Sequence, residues 1–114
     1  MIKLNKAIAI DLAAGASFLG CAGGGTAYLG RLTVEEVLQQ GHEISIMSIA
    51  ELNAKDVVMS VGKMGTTAVV NEILQDPNTG VAAVRALEAY SGKKSTALIP
   101  LEIGGGNSMV AMYL

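Results

Sequence analysis

Two stretches of the chain set three glycines in a row: "LGCAGGGTAYLG", Leu19 to Gly30, and "LEIGGGNS", Leu101 to Ser108. Glycine lets backbone N–H groups come close to a ligand, and a helix that begins after such a run offers unpaired donors to an anion. Gly23, Gly24, Gly25 and Thr26 are the binding candidates in the first stretch, and Gly104, Gly105, Gly106 and Asn107 in the second. Glu102 stands near the end of an apolar run. A carboxylate is costly there unless it has a partner or a task. A third stretch, "VGKMGTT", puts Lys63 and Gly65 just before a helix in which Glu72 interrupts apolar residues. Glu102 and Glu72 are therefore the candidate catalytic carboxylates, and either would orient water or a metal. Gly65 joins the substrate-binding candidates.

Each motif also has a plainer reading. The first glycine run is equally a tight helix–helix connection. The second is equally a turn with Asn107 as an ordinary helix cap and Glu102 in a salt bridge. Lys63 and Glu72 would be solvated on a helix face. The first run is not a dinucleotide fingerprint, because it follows a helix and lacks GxGxxG spacing. It is not a Walker loop, because no Gly-Lys-Ser/Thr closes it. Cys21 is either a thiolate near a helix N-terminus or a small buried hydrophobe. His42 reads as a surface residue. One Cys and one His build no ordinary zinc set, and a Ser–His–Asp triad has no support.

The elements that must position these residues follow from periodicity and breakers. Asn5 to Leu19 reads as a helix with Ile8, Leu12, Gly15, Ala16 and Leu19 on one face. Gly20 to Gly25 end it. The next helix starts either directly after Gly25 or at Thr33, where "TVEE" forms a capping box, and Gly41 ends it. His42 to Met47 reads as a strand, "SIAEL" as one helical turn, and Asp56 to Gly62 as a buried strand. "TTAVVNEILQ" reads as a helix and "DPNTG", Asp76 to Gly80, as a turn. "VAAVRALEAYSG" is a helix whose buried side is marked by Val81, Ala83, Val84 and Leu87. Ser95 to Ile103 is a third apolar strand, with Pro100 indicating an edge or a bulge. The last segment, "SMVAMYL", begins an apolar helix. Strands alternating with helices predict an α/β domain, Rossmann-like in layering, with a small, mostly parallel and incomplete sheet. Two of the glycine turns, 62–65 and 104–106, follow strands and precede helices, the position at which open α/β sheets bind ligands.

Composition adds a constraint on surface. Of 114 residues, 51% are hydrophobic and 16% charged, against about 25% charged in ordinary soluble domains. Mean hydropathy is +0.46. One domain of this size with so little polar surface is expected to meet another chain, a second copy of itself, or a missing C-terminal part. Net charge is −2 and no basic patch is visible, so nucleic acid is excluded as a partner. Lys3, Lys6 and the apolar run before Cys21 imitate a lipoprotein leader, but Asp11 interrupts the run and Phe18 fits the pattern poorly. A membrane partner is not expected, and the single cysteine fits a cytoplasmic setting.

"ASFLGCAGGGTAYLGRL", "VGKMGTTAVVNE" and "IPLEIGGGNS" resemble, in order and spacing, the N-terminal part of the S-methyl-thiohydantoin desulfurase-like family. Members of that family are often encoded beside, or fused to, hydantoinase/oxoprolinase subunits. Its first motif is close to "LGTGGGGDPY"; Leu19, Gly20, Gly23, Gly24, Gly25 and Tyr28 match, while Cys21, Ala22, Thr26 and Ala27 depart. Thr26 stands where the family has an acid. In the second motif, "MGAPTV…EK", Met64, Gly65, Thr67, Val69 and Glu72 are compatible and Ile73 replaces a lysine. The third matches from Glu102 to Ser108. The resemblance implies an enzyme acting on cyclic amide, hydantoin-like or thiohydantoin-like small molecules, with further sequence following the part represented here. It assigns neither metal nor cofactor. The alternatives are a nucleotide- or phosphate-binding module and a non-catalytic assembly subunit.

Overall fold

A computed structural model describes residues 1–21, 23–66, 72, 76 and 78–114. The elements in chain order are β1 (Ile2–Lys3), α1 (Lys6–Leu19), α2 (Ala27–Gln39), β2 (Ser45–Ile46), a 3-10 turn (Ile49–Glu51), β3 (Val58–Val61), α3 (Asn78–Ser91), β4 (Ala97–Pro100) and α4 (Asn107–Val110). The helix expected over 66–75 lies, apart from Thr66 and Glu72, outside the described residues. The class is α/β, as the alternation of elements predicts.

Helix α1 starts where Asn5 caps it, the side chain accepting from the Ile8 N–H at 2.9 Å. Its buried stripe is Ala9, Ala13 and Ala16. Of the stripe expected from Ile8, Leu12, Gly15, Ala16 and Leu19, Ala16 is buried, and the rest is rotated by one position. Ile8 and Leu12 flank the core, and Leu19 is exposed. Alanines let the backbones of α1 and α2 approach, which larger side chains on that line would prevent. Helix α2 takes the earlier of its two possible starts, at Ala27 behind an extended Thr26. Thr33 is no cap: it lies inside the helix, its hydroxyl donating to the Leu29 carbonyl at 3.0 Å. Leu4, Ala9, Ala13, Val34 and Met109 form the central cluster, with Ile44, Ile46 and Tyr113 packed around it.

β1, a strand too short to show periodicity, pairs antiparallel with β2. The strand expected over His42 to Met47 is reduced to Ser45–Ile46. The turn expected at "SIAEL" is present, closed by a Ser48–Glu51 capping box. β3 and β4 run parallel, Val58 opposite Ala97 and Val61 opposite Pro100. The Thr96 hydroxyl fixes the start of this pair by accepting from the Val57 N–H at 3.0 Å and donating to Asp56 at 3.0 Å.

Helix α3 begins at Asn78, earlier than the expected Val81, because the Asp76 carboxylate accepts from the Asn78 N–H at 2.9 Å. Its expected buried side does not form among the described residues. Val81, Ala83 and Leu87 are exposed and Val84 is half-buried. The one buried residue of α3 is Glu88. Its carboxylate accepts from the Ser95 N–H at 2.9 Å, the Ser95 hydroxyl at 2.8 Å, Lys94 at 3.0 Å and Arg85 at 3.0 Å. It thereby ties the end of α3 to the approach of β4. Those bonds, led by the Ser95 N–H, pull its pKa down to about 2. Among the described residues, no helix is long and apolar enough to cross a membrane.

Candidate functional site

The segment between α1 and α2 and the segment between β4 and α4 meet backbone against backbone. The Gly105 N–H donates to the Ala16 carbonyl at 2.7 Å, the Gly106 N–H to Gly25 at 3.0 Å and the Asn107 N–H to Gly24 at 2.8 Å. Close approach is why both segments are glycines. A Cβ built on Gly24 would lie 2.6 Å from the Gly104 carbonyl oxygen, and Gly24 also has φ +84°. A Cβ on Gly104 would run into the Gly20 nitrogen. Neither overlap can be relieved by a side-chain rotation, since both partners are main chain.

This seam decides which backbone donors remain. Gly105 and Gly106 use theirs within the fold and line the seam as structural members. The N–H groups of Gly24, Gly25 and Thr26 have no hydrogen-bond partner among the described residues. Gly25 and Thr26 are exposed. Thr26 gives no side-chain cap, and the first turn of α2 holds no acidic residue. The N-terminus of α2 therefore points unsatisfied N–H groups and the positive end of its dipole outward.

Glu102 stands beside those donors. The Glu102 Oε2 atom is 2.7 Å from where a Gly24 Cβ would be. Its Oε1 accepts from the Asn107 amide at 3.0 Å. Asn107, 7% exposed, is not the cap of α4, a position held by Gly106. Its amide is bonded on both ends: Oδ1 accepts from the Lys63 N–H at 2.7 Å, and Nδ2 donates to the Lys63 carbonyl at 2.7 Å and to Glu102. The Lys63 ammonium lies 5.7 Å from the Tyr113 ring centroid. Burial pushes the Tyr113 phenol pKa up.

Asn107 therefore joins all three sequence motifs: the turn after β3, the glycines after β4 and, through Glu102, the glycines before α2. Gly65 is exposed, two residues beyond Lys63. Glu72 is exposed and forms no hydrogen bond or ion pair among the described residues. Cys21 is exposed rather than buried, and His42 is exposed as expected. Among the described residues, no group of three His, Cys, Asp or Glu is arranged to hold a metal. Sequence reasoning missed two participants. Gly20 reads in the sequence only as a helix stop, although it stands in the same motif. Ala16 contributes its carbonyl, for which the sequence carries no signal.

The family model described as "S-Me-THD-like, N-terminal domain" matches residues 9–114. No curated protein and no solved structure matches the chain. The matched range contains the whole glycine seam, Glu102 and the Asn107 clamp, and the chain belongs to the S-Me-THD-like N-terminal domain family.

Proposed function

We propose that the seam forms part of the site of an enzyme acting on cyclic amide, hydantoin-like or thiohydantoin-like small molecules. The observation that carries the reading is the outward set of N–H groups on Gly24, Gly25 and Thr26 beside the Glu102 carboxylate. Water attacking a ring carbonyl carbon places negative charge on its oxygen until the ring C–N bond breaks, and at a ring carbon bearing an S-methyl group it places the charge on the ring nitrogen until methanethiol leaves. Fixed N–H donors facing that charge lower the barrier, and removal of one such donor costs roughly a hundredfold to a thousandfold in rate. Glu102, held by Asn107, orients the water and takes its proton. Gly23, Gly104, Gly105 and Gly106 keep the donor loop in place. Gly65 and Glu72 border the ligand from the segment beyond β3. The enzyme is cytoplasmic, and its apolar surface is covered by a second copy or by further polypeptide.

The test is steady-state turnover of a hydantoin and an S-methyl-thiohydantoin by the whole protein and its Glu102→Gln variant. Glutamine keeps the size of the side chain and its hydrogen bond from Asn107, but removes the base. The expected result is a kcat lower by about a hundredfold to ten-thousandfold with KM within a few-fold. Unchanged turnover overturns the role of Glu102. The uncapped N-terminus of α2 favours one second reading, a phosphate- or nucleotide-binding module. Saturable nucleotide binding, with no turnover of any cyclic amide, selects it.

A further inference from the structure

The sequence places Asn107 among the ligand-binding candidates, and its geometry gives it another task. The residue is buried, 7% exposed. Its Oδ1 accepts from the Lys63 N–H at 2.7 Å, and its Nδ2 donates to the Lys63 carbonyl at 2.7 Å and to Glu102 Oε1 at 3.0 Å. A primary amide has two N–H groups, so Asn107 has no donor left for a ligand. The two bonds to Lys63 also fix which way round the amide lies. A backbone N–H only donates and a backbone carbonyl only accepts. Turning the amide over would set N–H against N–H and oxygen against oxygen, leaving buried polar groups unpaired. The Lys63 main chain thus holds one orientation, and in it an N–H, never the amide oxygen, faces Glu102.

The two oxygens of Glu102 are therefore not equivalent. Oε1 is occupied by Asn107. Oε2 makes no hydrogen bond among the described residues. It lies on the Gly24 side, 2.7 Å from where a Gly24 Cβ would be. When a carboxylate takes a proton, one oxygen becomes an O–H donor and the other stays an acceptor. With an N–H fixed at Oε1, the proton settles on Oε2. We propose that Asn107 is a positioning residue without ligand contact: set by the Lys63 main chain, it occupies Oε1 and reserves Oε2 as the proton-carrying atom beside the Gly24 loop. The inference rests on Glu102 as the base, and adds which oxygen works and what selects it. In the hydrolytic step, the water oxygen bonds to the ring carbonyl carbon and the C=O electron pair moves onto the carbonyl oxygen. The water proton passes to Oε2. When the C=O re-forms and the ring C–N bond breaks, that proton goes from Oε2 to the departing nitrogen.

The test compares the whole protein with its Asn107→Asp, Glu102→Gln and double variants in steady-state turnover of a hydantoin. Aspartate keeps the size of Asn107 and an acceptor for the Lys63 N–H, and removes the donor at Oε1. Asn107→Asp is expected to lower kcat at least about tenfold with KM within a few-fold. In the Glu102→Gln background it is expected to change the residual turnover by less than about threefold, because residues that act as a unit are not additive. A raised KM with kcat unchanged would make Asn107 a ligand contact and overturn the proposal. An equal loss in both backgrounds, the mark of a merely structural role, would also overturn it. Full turnover in Asn107→Asp beside a loss in Glu102→Gln would sink this proposal and leave Glu102 as the base. Full turnover in Glu102→Gln would sink both. The wild type decides the clamp without any variant, by NMR of the Asn107 side-chain NH2. Its protons are expected to exchange with water at least about tenfold more slowly than those of the exposed Asn5 side chain. Exchange as fast as at Asn5, slowed only when hydantoin is added, would make Asn107 a ligand contact after all.

Discussion

At the scale of single residues, two glycines of the same chain have opposite requirements. Gly24 has a positive φ and a main-chain oxygen where a Cβ would go. Gly15 lies inside α1 with open space around it. Gly24→Ala is expected to lose at least about 2 kcal/mol of stability. Gly15→Ala is expected to gain about 0.5–1 kcal/mol. Urea unfolding of the two variants measures both. Glu88 makes a pH prediction. Its carboxyl titrates near 2 when folded against 4.5 as the ordinary value. A lowered folded-state pKa contributes stability above the unfolded value, and that contribution is lost as pH falls from about 4.5 toward 2. Urea midpoints of the wild type should fall across that window. Those of Glu88→Gln should start lower at neutral pH and fall less steeply. Glycine runs and acids were legible in the sequence as unusual residues. Which of them was tied up internally was not, because Glu88 and Asn107 are held by groups that α3, β3 and β4 bring to them.

At the scale of elements, the two helix starts contrast. Asn5 caps α1 through its side chain, and Thr26 gives α2 no such bond. Asn5→Ala is expected to cost about 1 kcal/mol, and Thr26→Ala clearly less. Thermal unfolding of both variants separates the cases. Were Thr26→Ala the more damaging, α2 would have a side-chain cap after all and would not be a donor end open to a ligand. Local signals found most elements: glycine stops, the Ser48 turn and the apolar strand runs. They left the start of α2 open between two positions, because an internal "TVEE" imitates a cap, and misplaced the start of α3, where Asp76 accepts from the Asn78 N–H before the expected turn has ended. They also missed β1, because a strand of Ile2–Lys3 acquires its pairing only from β2, far along the chain.

At the scale of the whole molecule, much apolar surface stays in water. Phe18 is 81% and Ile103 79% exposed. They stand next in sequence to Leu19 and Gly104, whose backbones touch. Exposed apolar side chains of this size favour association with another surface. Concentration-dependent association in sedimentation velocity is expected, weakened in the double variant Phe18→Ser, Ile103→Ser. Its stability should stay within about 0.5 kcal/mol of wild type. Composition alone predicts exposed apolar side chains, with 51% of residues hydrophobic and 16% charged. The sequence by itself also determined the α/β class, the family and the three motifs that Asn107 joins, since these rest on local periodicity and residue type. Only the tertiary structure decided that the two glycine runs touch, that Asn107 holds Lys63 and Glu102, and that Gly105 and Gly106 have no donors left to offer. The reason is physical. A backbone N–H carries no record in its own residue type of whether a distant carbonyl will take it, and that is fixed only when β4 brings its glycines against the end of α1.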